Sequence, residues 1–127
     1  MYTINIDKEK NRVIVFLQGT IGRIESEKIA RELFAAVGRL RRGFDVINDI
    51  SRYEDGDRKS EETLKSTIEF LKVRGVRNVV RVVGGSKDAL MKFSGVSKST
   101  PNYTIRYVPT LEAAIKLLEP ELQHSEP

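Results

Sequence analysis

Between Asp49 and Ser60 the chain gathers most of the side chains that could do chemistry. The run Asp49-Ile-Ser-Arg-Tyr-Glu-Asp-Gly-Asp-Arg-Lys-Ser60 holds three aspartates, two serines, one tyrosine and three basic residues. Asp49, Asp55 and Asp57 have the donor chemistry of a magnesium site at a strand end. The plainer reading is strand-end and turn aspartates that bond local backbone. No lysine or threonine pair stands with them to complete a phosphotransfer centre, so neither metal nor cofactor is expected. Ser60 opens a helical pattern. A phosphate there would meet free backbone N–H groups and a favourable dipole, but Glu61 and Glu62 would repel it. The competing role is a helix N-cap, which the same glutamates support. Tyr53 stands amid charges, either as an exposed binding anchor or tucked over the sheet edge.

Other chemistry is scarce. Gly84-Gly85-Ser86-Lys87 lacks the span of a phosphate-binding loop and reads as a tight turn with Ser86 capping a helix. His124 is the only histidine and cysteine is absent. A histidine-based triad, a histidine metal cluster, thiolate chemistry and disulfides are therefore excluded. Enzymatic activity is not expected.

The chain has 127 residues, 39% hydrophobic and 31% charged, enough for one domain with an ordinary core. No apolar run is long enough to span a membrane, and no secretory leader is visible; a cytoplasmic location is expected. The net charge of +4 is mild. Arg39, Arg41 and Arg42, then Arg74, Arg77 and Arg81, read as solvated ends of two helices. Without tryptophan or aromatics interleaved among them, nucleic-acid binding is not expected.

These side chains need a frame. Tyr2–Ile6 and Arg12–Gln18 alternate as an antiparallel hairpin closing at Gly19. From Ile24 the period becomes helical: Ile29, Leu33, Val37 and Leu40 share a face, with Gly43 as the stop. Phe44–Ile50 is a central strand, Arg52–Lys59 a charged loop, and Ser60–Leu71 a second helix burying Leu64, Ile68 and Leu71 and ending at Gly75. Val79–Val83 is almost continuously apolar, as an inner parallel strand is. A short helix carrying Leu90 and Phe93 follows. Tyr103–Val108 is a last strand, and Thr110 caps a final helix with Leu111, Ala114, Ile115 and Leu118 on one face. The expected fold is α/β, a single-domain mixed β-sheet in which an N-terminal hairpin precedes β-α units, in the order β-β-α-β-α-β-α-β-α. The domain is expected to span 1–118, with 119–127 a flexible tail.

This order resembles the STAS domain, and most of all the stand-alone anti-sigma factor antagonists of the sporulation type. The similarity runs from about Tyr2 to Leu118. It is carried by Gly19 before the first helix, Val46-Ile-Asn-Asp-Ile-Ser51 leading to the family's switch loop, and Gly75 before Val79–Val83. Phe93-Ser-Gly-Val96 and Thr110-Leu-Glu-Ala-Ala add two further matches. Regulated members carry Asp-Ser-Ser/Thr-Gly after the central strand, where a partner kinase phosphorylates the serine. Here the stretch reads Glu54-Asp-Gly-Asp-Arg-Lys-Ser60, without that motif.

The resemblance implies a non-enzymatic regulatory module that binds a protein, an anti-sigma factor or a kinase-like regulator. Ser60 is the phosphoacceptor candidate. The partner-binding candidates are Ser51, Tyr53, Asp55, Asp57, Arg58, Glu62, Lys65, Ser66 and Glu69. The alternative is a STAS-like module that takes a small ligand, nucleotide or lipid beside the same loop. Pairing of two copies through the Tyr2–Ile6 edge stays open.

Overall fold

The computed structural model describes residues 1–56, 58–84 and 104–119, with only the backbone at 55, 56, 61, 64, 65, 68 and 104. Strands β1 (Tyr2–Asp7) and β2 (Arg12–Ile21) form the antiparallel hairpin. Its turn ends on Asn11 at φ 54°, a conformation that asparagine tolerates. The Asn11 side chain then clamps a distant backbone. It accepts from Arg41 N at 2.8 Å and donates to Arg41 O at 3.2 Å. β2 does not close at Gly19. It continues to Ile21, because Gly19 at φ 71° accommodates a register shift against the neighbouring strand.

Helix α1 (Arg23–Val37) buries Ile29, Leu33, Ala36 and Val37. It stops at Gly38, five residues before the expected glycine, and Gly43 shapes the turn that follows. Leu40 still packs against the core from that linker. Arg39, Arg41 and Arg42 consequently lie beyond the helix rather than in its last turn. On the outer side, the Tyr2 hydroxyl donates to the Glu32 carboxylate, tying β1 to α1. Glu32 favours the neutral phenol, so the Tyr2 pKa lies above the ordinary tyrosine range. That contribution to stability is present below the usual phenol pKa and is lost as pH rises through the raised value. NMR titration of the Tyr2 ring should show the high midpoint, and Glu32→Gln should bring it down. An unchanged midpoint in that variant would show that Glu32 is not the cause.

The largest correction concerns the centre of the chain. β3 runs Asp45–Gly56 and helix α2 runs Arg58–Val73. The expected loop Arg52–Lys59 is therefore strand as far as Gly56 and helix from Arg58. Two breaks in the β2–β3 register, between Phe16 and Gln18 and between Gly19 and Thr20, each give β3 an extra residue. The inward period-2 pattern is broken there, which hid the strand. α2 ends in a Schellman closure: Val76 N donates to Leu71 O at 3.1 Å and Gly75 N to Lys72 O at 3.2 Å, with Gly75 at φ 88° as expected.

β4 (Asn78–Val82) and β5 (Thr104–Val108) complete a sheet ordered β1-β2-β3-β4-β5, parallel from β2 onward. Helix α3 (Leu111–Leu117) is capped by the Thr110 side chain, which accepts from Ala113 N at 3.1 Å. The expected helix carrying Leu90 and Phe93, the Phe93–Val96 match, Gly85–Lys87 and His124 lie outside the described residues. So does the expected tail beyond Glu119, whose carboxylate meets Lys10 at 3.0 Å.

One sheet face, with Val13, Val15, Leu17, Val46, Ile50 and Val79, packs on α1 and on Leu71 of α2. The other, with Ile47, Val80 and Val82, packs on Ala114 and Leu118. Burial on both faces explains why β4 is mostly valine. Arg81 is an exception within it. Expected as a solvated helix end, it is 2% exposed in the middle of β4, with Nη1 3.2 Å from the Tyr107 hydroxyl.

Candidate functional site

β4 accompanies β3 only as far as the pair Asp49–Val82, while β2 stays with it to Gly56. More than half of β3, from Ile50 to Gly56, therefore stands past its pairing with β4 at the carboxyl end of the parallel strands, where open α/β sheets present their sites. The bulge sorts its side chains. Ile50 and Tyr53, three apart, both turn into the α1 side of the core, at 0% and 6% exposure. Arg52 and Glu54 face solvent. Tyr53 is thus the buried half of the two expectations, a wedge and not an exposed anchor.

Asp49 and Ser51 form a local unit. Asp49 Oδ1 accepts from Ser51 Oγ at 2.6 Å and from Ser51 N at 3.0 Å. The aspartate bonds its own local backbone as expected, but from within β3 and not at a strand end. Gly84 comes close enough that a Cβ on it would lie 3.1 Å from the Ser51 Cβ. Thr3, Phe16, Gln18, Asp49, Ser51 and Arg52 line an open depression of about 330 Å³ on the sheet face that α3 leaves bare.

The first two residues of α2, Arg58 and Lys59, are exposed. Ser60 is not the N-cap. It sits within the first helical turn and is 1% exposed. Farther along, Glu62, Ser66 and Glu69 are exposed at helical spacing, with Thr63 and Thr67 bonded back to the helix carbonyls. The side chains of Asp55 and Lys65, and the whole of Asp57, lie outside the described residues. The structure thus sets Arg58, Glu62, Ser66 and Glu69 along the exposed side of α2, leaves Ser51 in the depression, and buries Tyr53 and Ser60. Arg52 and Glu54, read only as loop filler in the sequence, join that surface. The bulge that exposes them leaves no sequence signal beyond the interrupted alternation.

The architecture has close parallels among solved structures. The phosphorylated form of the Bacillus cell fate determinant SpoIIAA superposes with TM-score 0.64 at 17% identity, over 94% of this chain and 100% of that one. A DUF3478-family protein from Shewanella loihica with a SpoIIAA-like fold gives TM-score 0.71 at 14% identity, over 92% and 93%. The chain has a SpoIIAA-like fold. An anti-sigma factor antagonist from Mycobacterium paratuberculosis shares it, with TM-score 0.60 at 19% identity over 93% and 94%. No family model matches the sequence, and no curated protein matches it by sequence. The STAS resemblance drawn from residue order therefore holds at the level of the fold. Within the SpoIIAA-like fold, the projecting end of β3 and the start of α2 form the corner described above.

Proposed function

We propose that this chain is a non-enzymatic regulatory module that binds a protein partner at the corner between β3 and α2. One observation carries the reading. The corner stands clear of β4, hides its apolar residues and displays Arg52, Glu54, Arg58 and Lys59, with Glu62, Ser66 and Glu69 along the adjoining flank. Mixed charges over a rigid stem favour specificity and fast association. The similarity to anti-sigma factor antagonists points to a partner of the anti-sigma or kinase-like kind. The domain would comprise residues 1–118.

The test is a pull-down from a bacterial lysate with the whole chain as bait, repeated with an Arg52→Glu, Arg58→Glu variant. Both side chains are exposed, so the variant should fold normally. A partner captured by the parent should be lost or weakened about tenfold or more. An unchanged partner set would place the contact surface elsewhere.

A second reading rests on the depression beside Ser51, which would take a small polar ligand through Gln18, Ser51 and Arg52. Its size suits a small molecule. Ligand-induced NMR shifts confined to those residues, with no captured protein, would favour it over the first.

A further inference from the structure

At the opposite end of the sheet, where β3 and β4 begin, α1 and α2 finish side by side. Phe34 of α1 and Phe70 of α2 stack with centroids 4.3 Å apart and planes 19° from parallel. The stack is not covered: Phe34 is 58% exposed, and Val73, one turn beyond Phe70, is 72% exposed. Arginines border it. Arg74 Nη2 lies 3.8 Å from the Cβ position of Gly38, one turn after Phe34. The Arg42 guanidinium packs on Gly75, 2.9 Å from its Cβ position, with Nη1 3.5 Å from Val73 O. Arg39 follows Gly38 and is exposed. None of Arg39, Arg42 and Arg74 pairs with a carboxylate among the described residues. The neighbouring acids are otherwise placed: Glu32 accepts from Tyr2, Asp45 is held by Arg77, and Glu69 marks the far edge one turn before Val73.

We infer that this face, distinct from the β3–α2 corner, docks an acidic segment of a partner protein that carries an apolar or aromatic anchor. Exposed aromatic surface beside uncompensated charge is costly to leave bare and typical of interfaces. The charge is arginine, whose planar fork takes carboxylates in bidentate fashion. A single stacked pair, with no second such pair among the described residues, suits one anchoring side chain better than a run of nucleobases. Phe34 is held flat against Phe70, which suits lateral packing of a peptide side chain more than insertion into a bilayer.

The probe is a short fluorescein-labelled peptide alternating glutamate with leucine and phenylalanine, titrated with the whole chain by fluorescence anisotropy. Saturable binding is expected, weakened several-fold between about 50 and 300 mM NaCl. An Arg39→Glu, Arg42→Glu, Arg74→Glu variant should lose about tenfold or more in affinity. Phe34→Ser should lose a comparable amount, with both variants checked for folding by thermal melts. Arg52→Glu, Arg58→Glu should leave this binding unchanged, which separates the two faces. Absence of peptide binding overturns the inference, as does indifference to the arginine variant. Preferential capture by phosphatidylglycerol-rich vesicles or by single-stranded DNA also overturns it.

Discussion

Replacing Asp45 by alanine should lower the unfolding free energy by about 3 kcal/mol. The Asp45 side chain is 3% exposed at the first residue of β3, and its carboxylate accepts three hydrogen bonds. Arg77 donates from Nε at 3.2 Å and Nη2 at 2.8 Å, and Asn78 donates from Nδ2 at 3.1 Å. These bonds lock the start of β3 to the start of β4. Arg77 N also donates to Phe44 O at 2.8 Å, so backbone and side chain clamp the same joint. The cost should stay below the roughly 5 kcal/mol seen when a buried charge is orphaned, because Arg77 is 55% exposed and water can resolvate it. Asp45→Asn keeps the shape and removes the charge, and should lose about half as much. Urea melts provide the measurement: the midpoint should fall with little change in slope. A loss under about 1 kcal/mol would reduce the bridge to an ordinary surface pair.

Ser60→Asp should destabilise the protein by about 2–4 kcal/mol. Ser60 is 1% exposed, and a carboxylate there must be desolvated inside the first turn of α2. The helix dipole returns only about 0.3–1 kcal/mol of that. Ser60→Ala, which adds no charge, should be much milder. The same enclosure keeps the hydroxyl from an incoming phosphoryl group. Intact-mass analysis of the folded chain after exposure to serine kinases should therefore show no gain mapped to Ser60. An aspartate variant that melts like the parent, or a phosphate found on Ser60, would mean that the first turn opens readily. Phosphorylation would then return as a mode of control at the corner.

Much of the frame was legible because it follows local rules. Alternation in Tyr2–Ile6 marked a half-buried edge strand, and the four valines of Val79–Val83 marked an inner strand. Thr110 and Gly75 announced a helix start and a helix stop through capping chemistry that depends on a few neighbours. Gly43 misled for a related reason. A glycine ahead of a strand serves a turn as readily as a helix end, and α1 had already stopped at Gly38.

The corner proposed as the site was legible as a position in the chain but not as a shape. Charge and glycine between Arg52 and Lys59 read as loop, since in isolation that composition disfavours a strand. The pairing energy comes from β2, which lies more than thirty residues away at the first pairing and continues with β3 to Gly56. Only that neighbour could impose the bulges, and the bulges decide which side chains turn in. The charges around Tyr53 and Ser60 leave their exposure open in the sequence, and both are buried. Arg81 was misassigned in the same way, as a cation beside a helix end when it is a core residue of β4.

The residue order by itself determined the hairpin, the succession of strands and helices, and the place where the central strand hands over to α2. These rest on periodicity and capping, which act within a few residues. Packing across the sheet decided which groups at that corner meet solvent, and it also set Phe34, Phe70 and the bordering arginines side by side at the far end. A side chain's exposure depends on what distant segments place over it, and no local pattern records that.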